Sequence, residues 1–286
     1  MSGFAGDFED GSKFYESMDY ARAMNSFRRA AASGHATAQY NLGLMYRKGQ
    51  GVARDYRQAV FWYELAAARG NGAAQFDLGV MYAEGQGVAQ DYGQAASWFE
   101  KAATQGYAAA QFNLGVMYTE GKGVAQDYSQ AVAWYGKATA QGYAPAQFNL
   151  GLMYHNGQGV AQDYKQAASW YEKAAAQGNA EAQFNLGVMY YNGRGVARDY
   201  TAAVSWYEKA TAQEYAPAQV SLGIMYFNGE GVAQDYVEAY KWLMLAAENG
   251  DEVARKNRDI VEKKMTPEQI AEAERRANAW IKTPRK

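Results

Sequence analysis

Apolar residues along the chain fall into two helical registers that alternate and then recur. Ala38, Leu42, Met45 and Tyr46 sit at i, i+4, i+7 and i+8, which is one face of an α-helix. Gly49 and Gly51 interrupt that face. Asp55 then starts a new segment as an N-cap, with Gln58 three residues on in a capping-box-like pair. Ala59, Trp62, Tyr63 and Ala66 follow at i, i+3, i+4 and i+7 of a second helix. Gly70 ends it, where a glycine takes the left-handed conformation without steric penalty.

The whole pattern returns every 36 residues. Asp-Tyr recurs from Asp55-Tyr56 to Asp235-Tyr236, tryptophan from Trp62 to Trp242, and Leu-Gly from Leu42-Gly43 to Leu222-Gly223. Six ungapped units run over 35–70, 71–106, 107–142, 143–178, 179–214 and 215–250, and the third and fourth share 26 of 36 positions. A phase-locked repeat of this length predicts stacked helix–turn–helix units, with Gly43 and its counterparts allowing close helix approach. Glu214 replaces the terminal glycine of the fifth unit, so its cap is expected to be strained by about 1 kcal/mol.

The ends depart from the interior, as the caps of a stacked array should. Residues 1–34 read as an N-terminal helix pair with a shortened first helix over Phe8 to Tyr15. Residues 251–286 read as C-terminal capping helices, with Arg258 at the core-leucine position. There Thr266-Pro267-Glu268-Gln269 is a strong helix start, and Ile270, Ala273, Ala277, Trp280 and Ile281 form an apolar stripe that can cover the last repeat. About 15 helices are expected, without a splitting linker and with a cap on every helix, so that folding needs no metal.

The pattern Ala-x3-Leu-Gly-x2-Tyr-x2-Gly-x-Gly-Val-x2-Asp-Tyr-x2-Ala-x2-Trp resembles the Sel1-like repeat, a relative of the tetratricopeptide repeat. The resemblance implies an all-α, right-handed α/α superhelical solenoid used for protein–protein contacts, often in bacterial envelope, secretion or signalling systems. It permits a role as an immunity or inhibitor protein for a secreted toxin, and demands none.

Composition narrows the function. There are 28 basic and 30 acidic side chains; residues 251–286 hold 10 and 7, leaving 18 and 23, a net −5, for residues 1–250. No strongly basic face is available for nucleic acid. Cysteine is absent, which excludes disulfides, thiolate metal sites and cysteine nucleophiles. Gly49-Gln50-Gly51 lacks both the following Lys-Ser/Thr and the preceding strand of a phosphate loop. His35 and His155 are far apart in sequence, and the repeated aspartates are accounted for as caps. No catalytic constellation, cofactor or metal is expected. No apolar run is long enough to span a bilayer, so membrane insertion is not expected. The residues after Met1 lack the marks of a signal peptide. The expected protein is soluble and monomeric, cytoplasmic unless a leader was removed before Met1, in which case it is periplasmic or exported.

A second face of the first helix, positions 37, 41, 44 and 48, corresponds to the stripe that lines the concave groove of tetratricopeptide repeats. It carries Asn41, Asp77, Asn113, Asn149, Asn185 and Ser221. Such a ladder can hold the backbone of an extended peptide, since an amide both donates and accepts; equally, it can fix the stacking of repeats. Beside it run Tyr40, Phe76, Phe112, Phe148 and Phe184, expected to be partly buried with edges open to the groove. Positions 47 and 48 vary most: Arg47-Lys48, Ala83-Glu84, Thr119-Glu120, His155-Asn156, Tyr191-Asn192 and Phe227-Asn228. Variation on a uniform scaffold is where specificity can reside. Asp77, Glu84 and Glu120 should favour basic side chains; Tyr191 and Phe227 should anchor apolar ones. The expected function is therefore a non-enzymatic adaptor, regulator or scaffold that binds a protein or peptide in its concave groove. The alternative is an envelope scaffold that engages glycan or polysaccharide machinery through its aromatics.

Overall fold

A computed structural model describes residues 3–282. Two short helices, α1 (Gly3–Glu16) and α2 (Tyr20–Ala32), precede the repeats. The repeats supply α3 (Ala36–Lys48), α4 (Tyr56–Ala67), α5 (Gly72–Glu84), α6 (Tyr92–Thr104), α7 (Ala108–Glu120), α8 (Tyr128–Thr139), α9 (Ala144–Asn156), α10 (Tyr164–Ala176), α11 (Ala180–Asn192), α12 (Tyr200–Thr211), α13 (Ala216–Asn228) and α14 (Tyr236–Glu248). After them come α15 (Glu252–Glu262) and α16 (Pro267–Lys282), making sixteen helices and no strand among the described residues. They form two compact units that divide between residues 143 and 144; α1–α8 belong to the first and α9–α16 to the second. Each unit is a run of paired helices, the α-solenoid arrangement. Residues 1–2 and 283–286 of the expected terminal caps lie outside the described residues.

Each repeat pairs its helices through a glycine. A Cβ on Gly43, Gly79, Gly115, Gly151 or Gly187 would come within 2.4–2.7 Å of the ring of Tyr63, Phe99, Tyr135, Tyr171 or Tyr207 respectively. Those rings are buried, so the aromatic lies directly on the backbone of the first helix. The tryptophans join neighbours: Trp62, Trp98 and Trp206 pack against the cores built by the preceding repeat or cap. Their outer faces are stacked under lysines, with Nζ of Lys101, Lys137, Lys173 and Lys209 3.6–3.9 Å from the ring centroids of Trp98, Trp134, Trp170 and Trp206. These four rings are therefore packed within the array and capped by cations, whereas Trp62 has Leu65 at the lysine position.

The loops explain the Asp-Tyr and Gly-x-Gly motifs. Asp55 Oδ1 accepts from the N–H groups of Arg57 and Gln58 at 2.9 and 3.1 Å, as an N-cap should. Its own N–H donates to the Tyr46 carbonyl at 3.0 Å, and the same bond recurs from Asp91 to Tyr82 and on to Asp235 and Tyr226. That bond takes the donor a capping-box glutamine would need. The reciprocal half of the expected pair with Gln58 is thus absent, and Ala202 is tolerated at that position. Thr266 and Gln269 do form both halves, at 2.9 and 3.3 Å. The second glycine of a loop sits on the start of the second helix of the preceding repeat or cap: with φ of +69°, a Cβ on Gly51 would lie 2.7 Å from the carbonyl oxygen of Tyr20 at the start of α2. Gly87, Gly123, Gly195 and Gly231 meet Tyr56, Tyr92, Tyr164 and Tyr200 in the same way.

A buried glutamine ladder completes each junction. Gln39, Gln75, Gln111, Gln147, Gln183 and Gln219 are 1–6% exposed. Gln111 Nε2 donates to the Ala103 carbonyl at the end of α6 (3.0 Å), and Gln111 Oε1 accepts from Gln141 Nε2 beyond α8 (2.9 Å). One amide thus ties three helices, and Gln75 and Gln183 do the same.

Several expectations change at the ends and caps. The first helix of the N-terminal pair is not shortened: α1 has 14 residues, and it is the loop before Asp19 that is shorter. Gly11 plays the role of Gly43, 2.6 Å from the Phe27 ring if given a Cβ. Glu214 does adopt the left-handed conformation, with φ of 61°. α7 and α13 have no side-chain cap, because Tyr107 and Tyr215 stand at the N-cap. These rings pack instead, Tyr107 over Gly72 and Tyr215 5.5 Å from Phe184. On α16, Ala273 and Ala277 are buried as expected, whereas Ile281 is 48% exposed.

Gly151→Leu should overpack the Tyr171 contact and lower unfolding free energy by about 1–3 kcal/mol. Gln111→Met keeps the volume but removes the bonds to the Ala103 carbonyl and from Gln141 Nε2, with an expected loss of about 1–3 kcal/mol. Thermal and urea melts measure both; unchanged melting of either variant contradicts the contact assigned to it.

Candidate partner-binding clefts

The first helices have two faces besides the core, and Gly43 separates them. Positions 40 and 47 flank it at i−3 and i+4, so they face the second helix of the same repeat. Tyr40, Phe76, Phe112, Phe148 and Phe184 accordingly lie 5.7–5.9 Å from the rings of Tyr63, Phe99, Tyr135, Tyr171 and Tyr207. All five are half-buried, one side of each ring being packed inside its own repeat. At position 47, His155, Tyr191 and Phe227 sit 5.1–5.6 Å from Tyr164, Tyr200 and Tyr236 on the first turn of the next helix.

Position 41 is half-buried at Asn41, Asn113, Asn149, Asn185 and Ser221, and buried at Asp77. Asp77 is not an open acid. Arg47 Nη1 donates to its Oδ1 at 2.9 Å. Burial pushes the Asp77 carboxyl above its usual range, against the pull of the Arg47 guanidinium and the Tyr40 hydroxyl. The pair spends the charge inside the fold, so the expected acidic contribution of Asp77 to a groove is withdrawn.

In the first unit a cleft of about 270 Å³ opens between α5 and α7. Val80 and Val116 form its apolar sides, Asn113 lies within it, and Glu84, Glu120 and Lys122 ring it. Lys122 Nζ is 2.7 Å from Glu120 Oε2, which leaves the site acidic by one charge. In the second unit a cleft of about 250 Å³ opens between α11 and α13, lined by Val188, Tyr191, Asn192, Tyr207, Ser221, Ile224 and Met225. No lining residue there is charged. Tyr191 Oη donates to Glu230 Oε2 at 3.1 Å, which fixes the ring at the rim. Asn192 Nδ2 donates to the Val188 carbonyl at 2.9 Å, and Asn228 Nδ2 to Glu230 Oε2 at 3.2 Å, so these amides have their donors engaged within the chain. Phe227 and Asn228 line a smaller cleft of about 200 Å³ with Ile224 and Ile260.

The histidines have structural surroundings. His35 Nδ1 accepts from the Ala38 N–H at 3.2 Å, capping α3, and its ring stacks 4.3 Å from Phe8. His155 is half-buried, with Nδ1 lacking a partner. Among the described residues no three potential ligands cluster to hold a metal ion, and no helix is long and apolar enough to cross a membrane.

Sequence reasoning missed the Arg47–Asp77 pair and the glutamine ladder. The signal for the ladder was present, a glutamine at the same position of all six repeats.

Compared with known families, the chain matches the Sel1 repeat six times in succession, over residues 36–71, 72–107, 108–143, 144–179, 180–215 and 216–251. No curated protein sequence matches it. Among solved structures it is similar to a Sel1 repeat protein from Oxalobacter formigenes, with 31% identity, 84% of this chain and 96% of that chain covered, and a TM-score of 0.74. It is also similar to a protective antigen of uropathogenic Escherichia coli that displays an SLR fold, with 28% identity, 97% and 84% covered, and a TM-score of 0.55.

Burial, and then the nearby charge of Arg194, lowers the His155 pKa below the ordinary imidazole value. The folded chain then takes up this proton less readily than the unfolded one. The stability His155 contributes is full above the unfolded pKa of about 6.5 and is lost as pH falls through the folded value. His155→Tyr, which copies Tyr191, should flatten the fall in melting temperature between neutral and mildly acidic pH. An unchanged slope would show that His155 is as readily charged in the fold as out of it.

Proposed function

The chain belongs to the Sel1 repeat family, whose members are protein-interaction scaffolds, and on that premise we propose that it is an adaptor that seats a protein segment on the exposed face of its first helices. The observation that carries this reading is the uncharged cleft between α11 and α13. It offers Val188, Ile224 and Met225 as floor and Tyr191 as a ring held in place by Glu230. Fixed aromatic rims beside an apolar floor are the usual source of binding energy in protein interfaces. The cleft is below the ~300–1,000 Å³ typical of drug-sized ligands and suits one or two apolar side chains.

The cleft between α5 and α7 has a different character and suits a different part of a partner. Glu84 is exposed, and Glu120 shares its charge with Lys122. A basic side chain there gains mainly association rate, because exposed charge pairs are screened by salt. An apolar side chain at Tyr191 governs dissociation instead.

Capture with the full chain as bait, followed by mass spectrometry, identifies the partner; titration calorimetry then measures it. Tyr191→Ala with Phe227→Ala should weaken binding by about 2 kcal/mol or more. Glu84→Gln should slow association and reduce its salt dependence while leaving dissociation nearly unchanged. Full affinity in a folded Tyr191→Ala, Phe227→Ala protein would mean that the first-helix face is not where the partner sits.

A further inference from the structure

At the start of α13, away from the clefts above, the repeat pattern breaks at several positions that line one small cavity. Its volume is about 200 Å³, and its lining includes Glu214, Gln219, Leu245, Glu248, Asn249 and Trp280. The fifth-repeat turn carries Glu214 where the other five repeats have glycine. The sixth carries Glu248 where the others have alanine or threonine, and Leu245 where the four interior repeats have lysine. It carries Asn249 where those four have the glutamine that donates to the buried ladder.

The last change has a visible effect. Gln219 is 1% exposed, and its Oε1 is buried without a hydrogen-bond partner. The asparagine is one methylene shorter than the glutamine that satisfies this oxygen in the interior repeats. A buried, unsatisfied acceptor is costly, and Glu214 holds a left-handed conformation that glycine would adopt freely. Both unfavourable features border the same cavity. Relative to the interior repeats, the changes add two carboxylates, remove a cation and draw an amide donor back by one methylene. Every one of them turns the cavity toward a positively charged donor.

From this we propose that the cavity is a binding site for an arginine side chain supplied by a protein partner. The guanidinium brings five donors in one plane. One can satisfy Gln219 Oε1, while others meet the carboxylate of Glu248, a geometry that suits arginine better than the compact ammonium of lysine. Trp280 and Leu245 offer apolar surface for the stem, and guanidinium planes stack well on indole. The small volume accommodates one long side chain. Gln39 serves as an internal comparison: its Oε1 is likewise unpartnered, but Gly34 and Ala68 stand where Glu214 and Glu248 do, so that position lacks the acids.

The test does not depend on the clefts between the first helices or on knowing the partner. The isotope-labelled full chain is titrated with acetyl-Gly-Arg-Gly-amide, and the Gln219 side-chain amide and Trp280 indole resonances are followed. Lysine and citrulline versions of the tripeptide serve as comparisons; citrulline keeps the shape and loses the charge. The arginine peptide should give saturable shifts at both residues, the lysine peptide weaker ones, and the citrulline peptide none. Asn249→Gln supplies the donor that the interior repeats have. It should raise the melting temperature and weaken the peptide about tenfold or more, as loss of one charge-assisted hydrogen bond predicts. Glu248→Gln, at an exposed position, should weaken it in a salt-dependent way without altering the melt. Equal shifts from the citrulline and arginine peptides would overturn the proposal, as would full affinity in Asn249→Gln.

Discussion

An aromatic ring laid on a glycine backbone sets the geometry of the first five repeats, and Leu243 takes its place over Gly223 in the sixth. The Leu-Gly glycine gives the first helix a bare patch, and Tyr63, Phe99, Tyr135, Tyr171 or Tyr207 fills it. That contact fixes how near the two helices come, which in turn decides what else can reach the interface. The flanking positions 40 and 47 are drawn against the same ring. The asparagine-bearing face is left turned away, and the clefts between neighbouring first helices open beside it, with Tyr191 and Ala83 of position 47 also on their walls. Had the spacer been alanine, the ring would have to move and the flanking side chains with it.

Much of this was legible in the chain because each constraint is written six times in the same phase. Helix boundaries, aspartate caps, left-handed glycines and the close helix approach all follow from short-range rules that repetition makes unmistakable. What could not be read is polar and long-range. Arg47 and Asp77 are thirty positions apart and lie in different repeats, so nothing local announces that they neutralise each other. The aromatic at position 40 resembles a binding stripe until Gly43 is seen to draw it, half-buried, against the second helix of its own repeat. The capping-box reading of Gln58 failed for a similar reason. The aspartate N–H it would serve is already taken by a tyrosine carbonyl from the preceding helix.

The buried glutamines show how a repeat protein tolerates a polar core. A lone glutamine would be expensive to bury, but here each amide receives from one neighbour and gives to another. The arrangement is complete where a second glutamine stands thirty positions on in the same repeat, as Gln105 does for Gln75 and Gln213 for Gln183, and it lacks that donor where Arg69 and Asn249 stand instead. It fails at Gln39 and Gln219, the first and last of the series. The polar mismatch therefore lies in the first and last repeats because their sequences depart there from the interior glutamine.

The seating of the Gly-x-Gly loops on the second helix of the preceding repeat or cap gives the stacking a direction in time as well as in space. Gly51 rests on the backbone at Tyr20, Gly87 on that at Tyr56, and Gly231 on that at Tyr200; in each case the seat belongs to residues synthesised earlier. A chain emerging from the ribosome thus finds the receiving surface for each new loop already made. Growth in the opposite sense would present loops with nothing to rest on. Vectorial synthesis and the order of assembly run the same way, so each repeat can be added to a finished edge.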